Sequence, residues 1–209
     1  MEYEVRFYFS KNKLNEIINK LKSIKELTMI DRYYEKTIQY DHPDKKFSFY
    51  SKEVDGRFRI RITKSDTISK CKISWKRRLK DTTSTDINKE EEVELNIDYN
   101  EYDNLVFIIE NVLHMKSVES YERFRTLFIN NDIEIAIDEY PFGIALEIES
   151  KSNNNQEEVI KYYSNILGLN IKDAYRLSWD DKYTELCNEQ NIKHYRHVTF
   201  DKKMPEIKD

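Results

Sequence analysis

Apolar and polar positions alternate with a period of two along much of this chain, and in a few places the period lengthens to that of a helix. Residues 2–9 (EYEVRFYF) alternate strictly and are rich in β-formers, which predicts a strand. Ser10 is placed to cap a helix, beyond which Leu14, Ile17, Ile18, Leu21 and Ile24 recur at helical spacing. Residues 28–40 and 46–51 predict strands on either side of a His42-Pro43-Asp44 turn, and RFRIRIT at 57–63 follows the hairpin signal Asp55-Gly56. CKISWKRR at 71–78 and EEVELNI at 91–97 continue the series across a polar loop at 81–89. A helix is predicted at 101–114, with Leu105, Ile108, Ile109, Val112 and Leu113 on its apolar side. Strands at 122–129, 132–138 and 144–150 follow, the last two joined by a turn over Glu139–Gly143. After a loop at 151–156 comes a helix at 157–167 stopped by Gly168, then a short helix near 180–190. The basic end, 191–209, is expected to fray as a C-terminal tail.

Strands that alternate and helices inserted between some of them predict a single α+β domain over 1–190, built on an antiparallel sheet able to close on itself. Residues two apart on a strand share a face, so each strand can be sorted into its two sides. In 2–9, Glu2, Glu4, Arg6 and Tyr8 oppose Tyr3, Val5, Phe7 and Phe9. In 57–63, Arg57, Arg59 and Arg61 oppose Phe58, Ile60 and Ile62. Lys72, Ser74 and Lys76 oppose Cys71, Ile73 and Trp75, while Glu92 and Glu94 oppose Val93 and Leu95. Later, Arg123 and Arg125 share a face, Glu134 and Asp138 share one with Ala136, and Glu147 and Glu149 oppose Ile144, Leu146 and Ile148.

An ordinary sheet has a solvated back that mixes small polar residues with both signs of charge. Here the charge is sorted by sign, and like charges stacked on one strand repel unless something opposite sits between them. Carboxylates at i, i+2 on two strands suit a hard divalent cation, and rows of Arg and Lys suit a chain of phosphates.

Composition sharpens that reading. Charged residues reach 35% and hydrophobic ones only 39% of 209 residues, a balance that would suggest disorder were there not 15 Tyr, 10 Phe and 2 Trp to build a core. The net charge of −4 argues against a sequence-independent DNA binder. Cys71 and Cys187 stand far apart, as small buried hydrophobes of a reduced compartment, and no apolar run is long enough to span a membrane; with no signal peptide at the N-terminus, the expected location is the cytoplasm. No Gly-rich phosphate loop and no nucleophile elbow is present, and the pair His194 and His197 reads as part of the solvated tail rather than as metal ligands.

Glu2-x-Glu4-x-Arg6 resembles the ExExK signature of the CYTH superfamily, the triphosphate tunnel metalloenzymes. Further matches follow in order: DGRFRIRIT, ISWKRR, EEVEL and SYERFR resemble the family's basic and acidic strands, and IEIAIDEYPFGIALEIES resembles its D-x-x-P … EIE hairpin. LGLNIKDAYRLSWDDKYTEL resembles its closing helices, so the likeness runs from residue 2 to about 187. The resemblance implies a closed eight-stranded antiparallel β-barrel with helices outside and a small-molecule triphosphate held within it. It implies Mg²⁺ or Mn²⁺ on Glu2, Glu4, Glu147 and Glu149, with Asp138 near the metal or the attacking water. It implies phosphate contacts from Arg6, Arg59, Arg61, Lys76, Arg123 and Arg125, of which Arg59 and Lys76, with Asp138, would act in catalysis. Arg6 stands where the signature carries Lys, which keeps the charge but changes reach and donor geometry.

The activity so implied is metal-dependent hydrolysis of tripolyphosphate, a nucleoside triphosphate or another small triphosphate. A class IV adenylyl cyclase and a non-catalytic phosphate-binding module are the alternatives. No DNA or membrane partner is expected, and a homodimer is left open.

Overall fold

The computed structural model describes residues 2–49, 56–78 and 88–208. Among the described residues there are nine strands: β1 (Glu2–Phe9), β2 (Thr28–Asp41), β3 (Gly56–Lys64), β4 (Ser69–Arg78), β5 (Asn88–Ile97), β6 (Lys116–Ile129), β7 (Ile133–Tyr140), β8 (Gly143–Ser150) and β9 (His197–Val198). The first eight form one curled antiparallel sheet in the order β2-β3-β4-β5-β1-β8-β7-β6, and β6 pairs again with β2. The shortest of these seams joins β1 to β5, through Glu2/Glu90, Tyr3/Lys89 and Glu4/Asn88.

Curling sends one face of every strand inward and the other outward, and the apolar face is the outer one. Val5 and Phe7 of β1, Ile135 and Ile137 of β7, and Leu146 and Ile148 of β8 pack with Ile17 and Leu21 of helix α1 (Leu14–Lys22) and Ile160 of helix α3 (Gln156–Ile166). Ile60 and Cys71 pack beneath helix α2 (Tyr102–Phe107) and the π turn Ile108–Val112 that continues it, where the Leu113 N–H reaches back to Ile108 O at 2.9 Å. Helix α4 (Trp179–Glu189) lays Trp179, Tyr183 and Leu186 on Tyr121, Tyr140 and Phe142. Each such side chain is worth about 1.5–3 kcal/mol when withdrawn from water. The sheet is therefore stabilised from outside, which leaves its concave face free for charge.

Gly168, at φ +68, ends α3: its N–H bonds Asn165 O and the Leu169 N–H bonds Ser164 O, the pairing that a left-handed residue permits. Cys71 and Cys187 are buried free thiols. Among the described residues no helix is long and apolar enough to cross a membrane.

Three local expectations are corrected. Ser10 makes no side-chain cap, because a 3₁₀ turn, Lys11–Lys13, intervenes before α1. Residues 46–49 form no strand: Asp44 accepts from the Lys46 N–H and Asp41 from the Phe49 N–H, so local side-chain bonds satisfy the backbone instead. The segment beyond 190 does not fray. β9 adds in parallel to β6, Val198 and Met204 are buried, and the Ile207 N–H donates to Phe142 O at 2.9 Å. The polar loop expected at 81–89 falls almost wholly outside the described residues, as does Asp55 of the hairpin signal.

Candidate active site

The alternation that points Phe58, Ile60 and Ile62 at the outer helices turns Arg57, Arg59 and Arg61 inward, and every neighbouring strand follows the same rule. The result is a cavity of about 220 Å³ whose walls are almost entirely ionic. Arg57, Arg59 and Arg61 come from β3, Lys72 and Lys76 from β4, and Glu90, Glu92 and Glu94 from β5. Across from them stand Glu4 and Arg6 of β1, Glu147 and Glu149 of β8, Glu134 of β7, and Tyr121, Arg123 and Arg125 of β6. One end closes on buried Tyr121, Tyr140, Ser178 and Trp179; at the other, Lys72, Glu94, Glu134 and Lys151 are partly exposed.

The cations fall into two groups. Arg123 and Arg125 are tightly held: Arg125 donates from Nε to Asp138 Oδ1 and from Nη2 to Oδ2, and Arg123 Nη1 donates to the same Oδ2, all at 2.6 Å. Glu35 takes the other side of Arg123, at 2.8 Å from Nε, and Glu147 Oε2 takes Arg125 Nη2 at 2.7 Å. Burial pushes the Glu35 carboxyl up, yet Arg123, Arg61 and Arg125 outweigh it and hold the group well below its ordinary range. Glu147 is likewise held far down against burial, by Arg6 and Arg125 above all.

Arg59 is different. It is 8% exposed, its Nε has no hydrogen-bond partner, and its nearest ion-pair contact is Glu92 at 3.6 Å. Burial pushes its guanidinium down, and Tyr121 and Glu92 do not make up the loss. Arg61 lies 3.8 Å from Glu35, with Nε donating to Thr37 Oγ1 at 3.2 Å. A buried guanidinium short of acceptors is a built receptor for an anion.

Every basic residue expected at phosphate (Arg6, Arg59, Arg61, Lys76, Arg123 and Arg125) lines this cavity, as do Glu4, Glu147 and Glu149. The Glu2 side chain lies outside what is described. Asp138 stands behind the cavity wall: it is fully buried, with both oxygens engaged by Arg123 and Arg125. Both oxygens of Glu147 are also engaged, Oε1 by Arg6 and Oε2 by Arg125.

Among the described residues, no three Asp, Glu, His or Cys side chains are gathered into a metal site. The donor set that suits a hard cation is a row across three strands, in which Glu4 pairs with Glu149 and Glu149 with Glu134. A cation already stands there: Lys151 Nζ is 2.5 Å from Glu149 and 3.9 Å from Glu134. Sequence reasoning places Glu134 on a face with Asp138 but gives it no role, and it misses Glu35 and Tyr121, which lie on β2 and β6 at positions with no like-charged neighbour to flag them.

No protein-family model matches the chain, and no curated protein matches it significantly. Solved structures do. PH1819 of Pyrococcus horikoshii OT3 superposes with a TM-score of 0.63 at 24% identity, over 91% of this chain and 99% of that one. HpAC1 of Hippeastrum, an adenylyl cyclase candidate described as having a dominant triphosphatase activity, superposes with a TM-score of 0.60 at 16% identity, over 93% and 98%. A Vibrio parahaemolyticus protein provisionally assigned as an adenylate cyclase gives 0.60 at 14%, over 86% and 96%. With its inward rows of charge and its outer apolar layer, the chain shares the fold of these structures.

Proposed function

We propose that this protein is a hydrolase of a small triphosphate, bound within the curled sheet acting as a closed tunnel. The observation that carries the reading is Arg59, a buried cation whose Nε lacks an acceptor and which faces a cavity walled by further arginines. A triphosphate supplies the missing negative charge along a line of oxygens, and Arg59 and Arg61 are among the groups whose carboxylate pairs are long enough to yield to it. Arg123 and Arg125, fixed by Asp138, Glu35 and Glu147, meet the phosphates without reorganising, and Lys76 adds a point charge.

Hydrolysis needs water to attack the terminal phosphorus in line while the bridging P–O bond breaks and charge builds on the departing oxygen. Preplaced guanidinium groups stabilise that charge. Mg²⁺ or Mn²⁺ would be held by Glu4 and Glu149 with Glu134 beside them, in place of Lys151, and would add charge neutralisation there. The triphosphatase activity described for HpAC1 supports the choice of hydrolysis over cyclisation.

The test is an assay panel of tripolyphosphate, ATP, GTP and thiamine triphosphate with Mg²⁺ or Mn²⁺. Orthophosphate release is expected; pyrophosphate with cyclic AMP would make the protein a cyclase, and binding without turnover would make it a sensor.

A further inference from the structure

We infer that the Tyr121 hydroxyl is a phosphate ligand at the closed end of the cavity, donating a hydrogen bond to an oxygen of the bound triphosphate. The inference deepens the triphosphate reading and rests on it. Tyr121 precedes Arg123 by two residues on β6, so both point inward, and it sits across the β2–β6 ladder from Thr37. Its ring is fixed between Trp179, at 4.4 Å between centroids, and Tyr140, at 5.7 Å. A ring so wedged cannot swing its hydroxyl away, which is what a ligand-binding group requires.

The bonding around that hydroxyl is lopsided. Its charged surroundings are Arg123 of β6 with Arg61 and Arg59 of β3, and guanidinium groups donate but never accept. Thr37 Oγ1 accepts from Arg61 Nε, and the threonine lowers the phenol's pKa, as a hydroxyl donating toward the phenol oxygen does. The carboxylates Glu35 and Asp138 are spent on Arg123. The hydrogen of Tyr121 is therefore available to an acceptor that arrives with the ligand, in the same cavity where Arg59 Nε lacks one.

Electrostatics give the idea a measurable edge. Burial pushes the phenol up, but Arg123, Arg61 and Arg59 pull it down to about 8. Above that pH the protein without ligand holds a phenolate, which repels a phosphate and has no hydrogen to give. Tyr140, on the other side of the ring, is held well above its ordinary value, with burial the largest cause, so it stays protonated in this window. Glu119, one step along the same face of β6, is pushed up to about 7 by burial and Asp180; Tyr121 is not among the causes of that shift, so the Glu119 titration is common to the wild type and a Tyr121→Phe variant.

The experiment measures tripolyphosphate affinity by calorimetry from pH 7 to 9.5 for the wild type and Tyr121→Phe. The wild type should lose affinity above pH 8, approaching tenfold per pH unit, in excess of any trend in the variant, and the variant should bind about tenfold more weakly at pH 7. The ligand's own ionisation affects both proteins alike, so the difference between the curves is the readout. Absorbance at 295 nm should show one tyrosine ionising near pH 8 that tripolyphosphate shifts upward and that Tyr121→Phe removes. Parallel affinity curves, or a tyrosine signal unmoved by tripolyphosphate, would overturn the assignment. Absence of binding by both proteins overturns the triphosphate reading itself.

Discussion

Arg6 reaches across the β1–β8 ladder to Glu147, with Nε at 2.8 Å and Nη2 at 2.6 Å from the same oxygen, Oε1. A lysine could not make that two-point contact, and with Arg125 on Oε2 the glutamate has no oxygen left for an ion. Glu147 thus positions arginines, whereas Glu149 belongs to the row that suits a metal. The expected outcome is a separation of two effects. Glu147→Gln should raise the KM for triphosphate about tenfold, with the Mn²⁺ concentration for half-maximal rate unchanged. Glu149→Gln should move the Mn²⁺ dependence at least as far. Steady-state rates over a grid of substrate and metal concentrations decide it, and a metal shift in Glu147→Gln would show that this carboxylate is a ligand after all.

Arg59 predicts an opposition between stability and binding. A buried charge with a weak partner costs folding free energy, and an apolar side chain of similar volume removes that cost. Arg59→Met should therefore melt about 2–4 °C higher than the wild type, for a gain of ~1 kcal/mol. It should also lose most of the melting shift that tripolyphosphate gives the wild type. Thermal unfolding with and without the ligand tests both halves; a destabilised variant that keeps its ligand shift would remove Arg59 from the site.

Acid should loosen the protein through Glu35 and Glu147. Both carboxyls are depressed in the folded state, so the unfolded chain binds more protons as pH falls. Their contribution is fully present above the ordinary carboxylate value near 4.5 and is lost as pH drops below it toward their folded values. Urea midpoints should fall steeply below about pH 4.5, and Glu35→Gln should be less stable at neutral pH yet show a shallower acid slope. An unchanged slope in that variant would mean that Glu35 is not depressed by Arg123.

The faces of these strands were legible because period-two alternation is a local property: β1, β3, β4 and β8 each announce an apolar side and a charged side without help from the rest of the chain. Which face turns inward is not local. It depends on where α1, α2, α3 and α4 pack, and the resemblance supplied it. Pairing within the site was illegible for the same reason. Asp138 and Glu147 carry identical chemistry to Glu149, and only the register that sets Arg125 beside Asp138 and Arg6 beside Glu147 distinguishes a carboxylate that holds arginines from one that faces a cation. The C-terminal segment misled because its polar composition reads as solvated, whereas Val198, Met204 and Ile207 are anchors spaced too widely to form a pattern.

Gly56 opens β3 one residue before the arginine row, and its lack of a side chain is a packing requirement. A Cβ there would lie 2.2 Å from Cη2 of Trp75 and 2.9 Å from Phe49 O, the carbonyl that accepts the Gly56 N–H at 3.1 Å. The indole cannot retreat freely, because Phe49 packs against it in an edge arrangement at 5.2 Å between centroids. Gly56→Ala should cost about 1–3 kcal/mol, the usual range for overpacking. Trimming the obstacle should recover part of it: in the background of Trp75→Leu, the same alanine should cost less than half as much, a coupling that a double-mutant cycle of urea midpoints measures. Because Arg57 and Arg59 follow directly on this strand, the alanine should also weaken tripolyphosphate binding, and Trp75→Leu should restore it. Equal costs in both backgrounds would mean that the strand shifts as a whole rather than pressing on the indole.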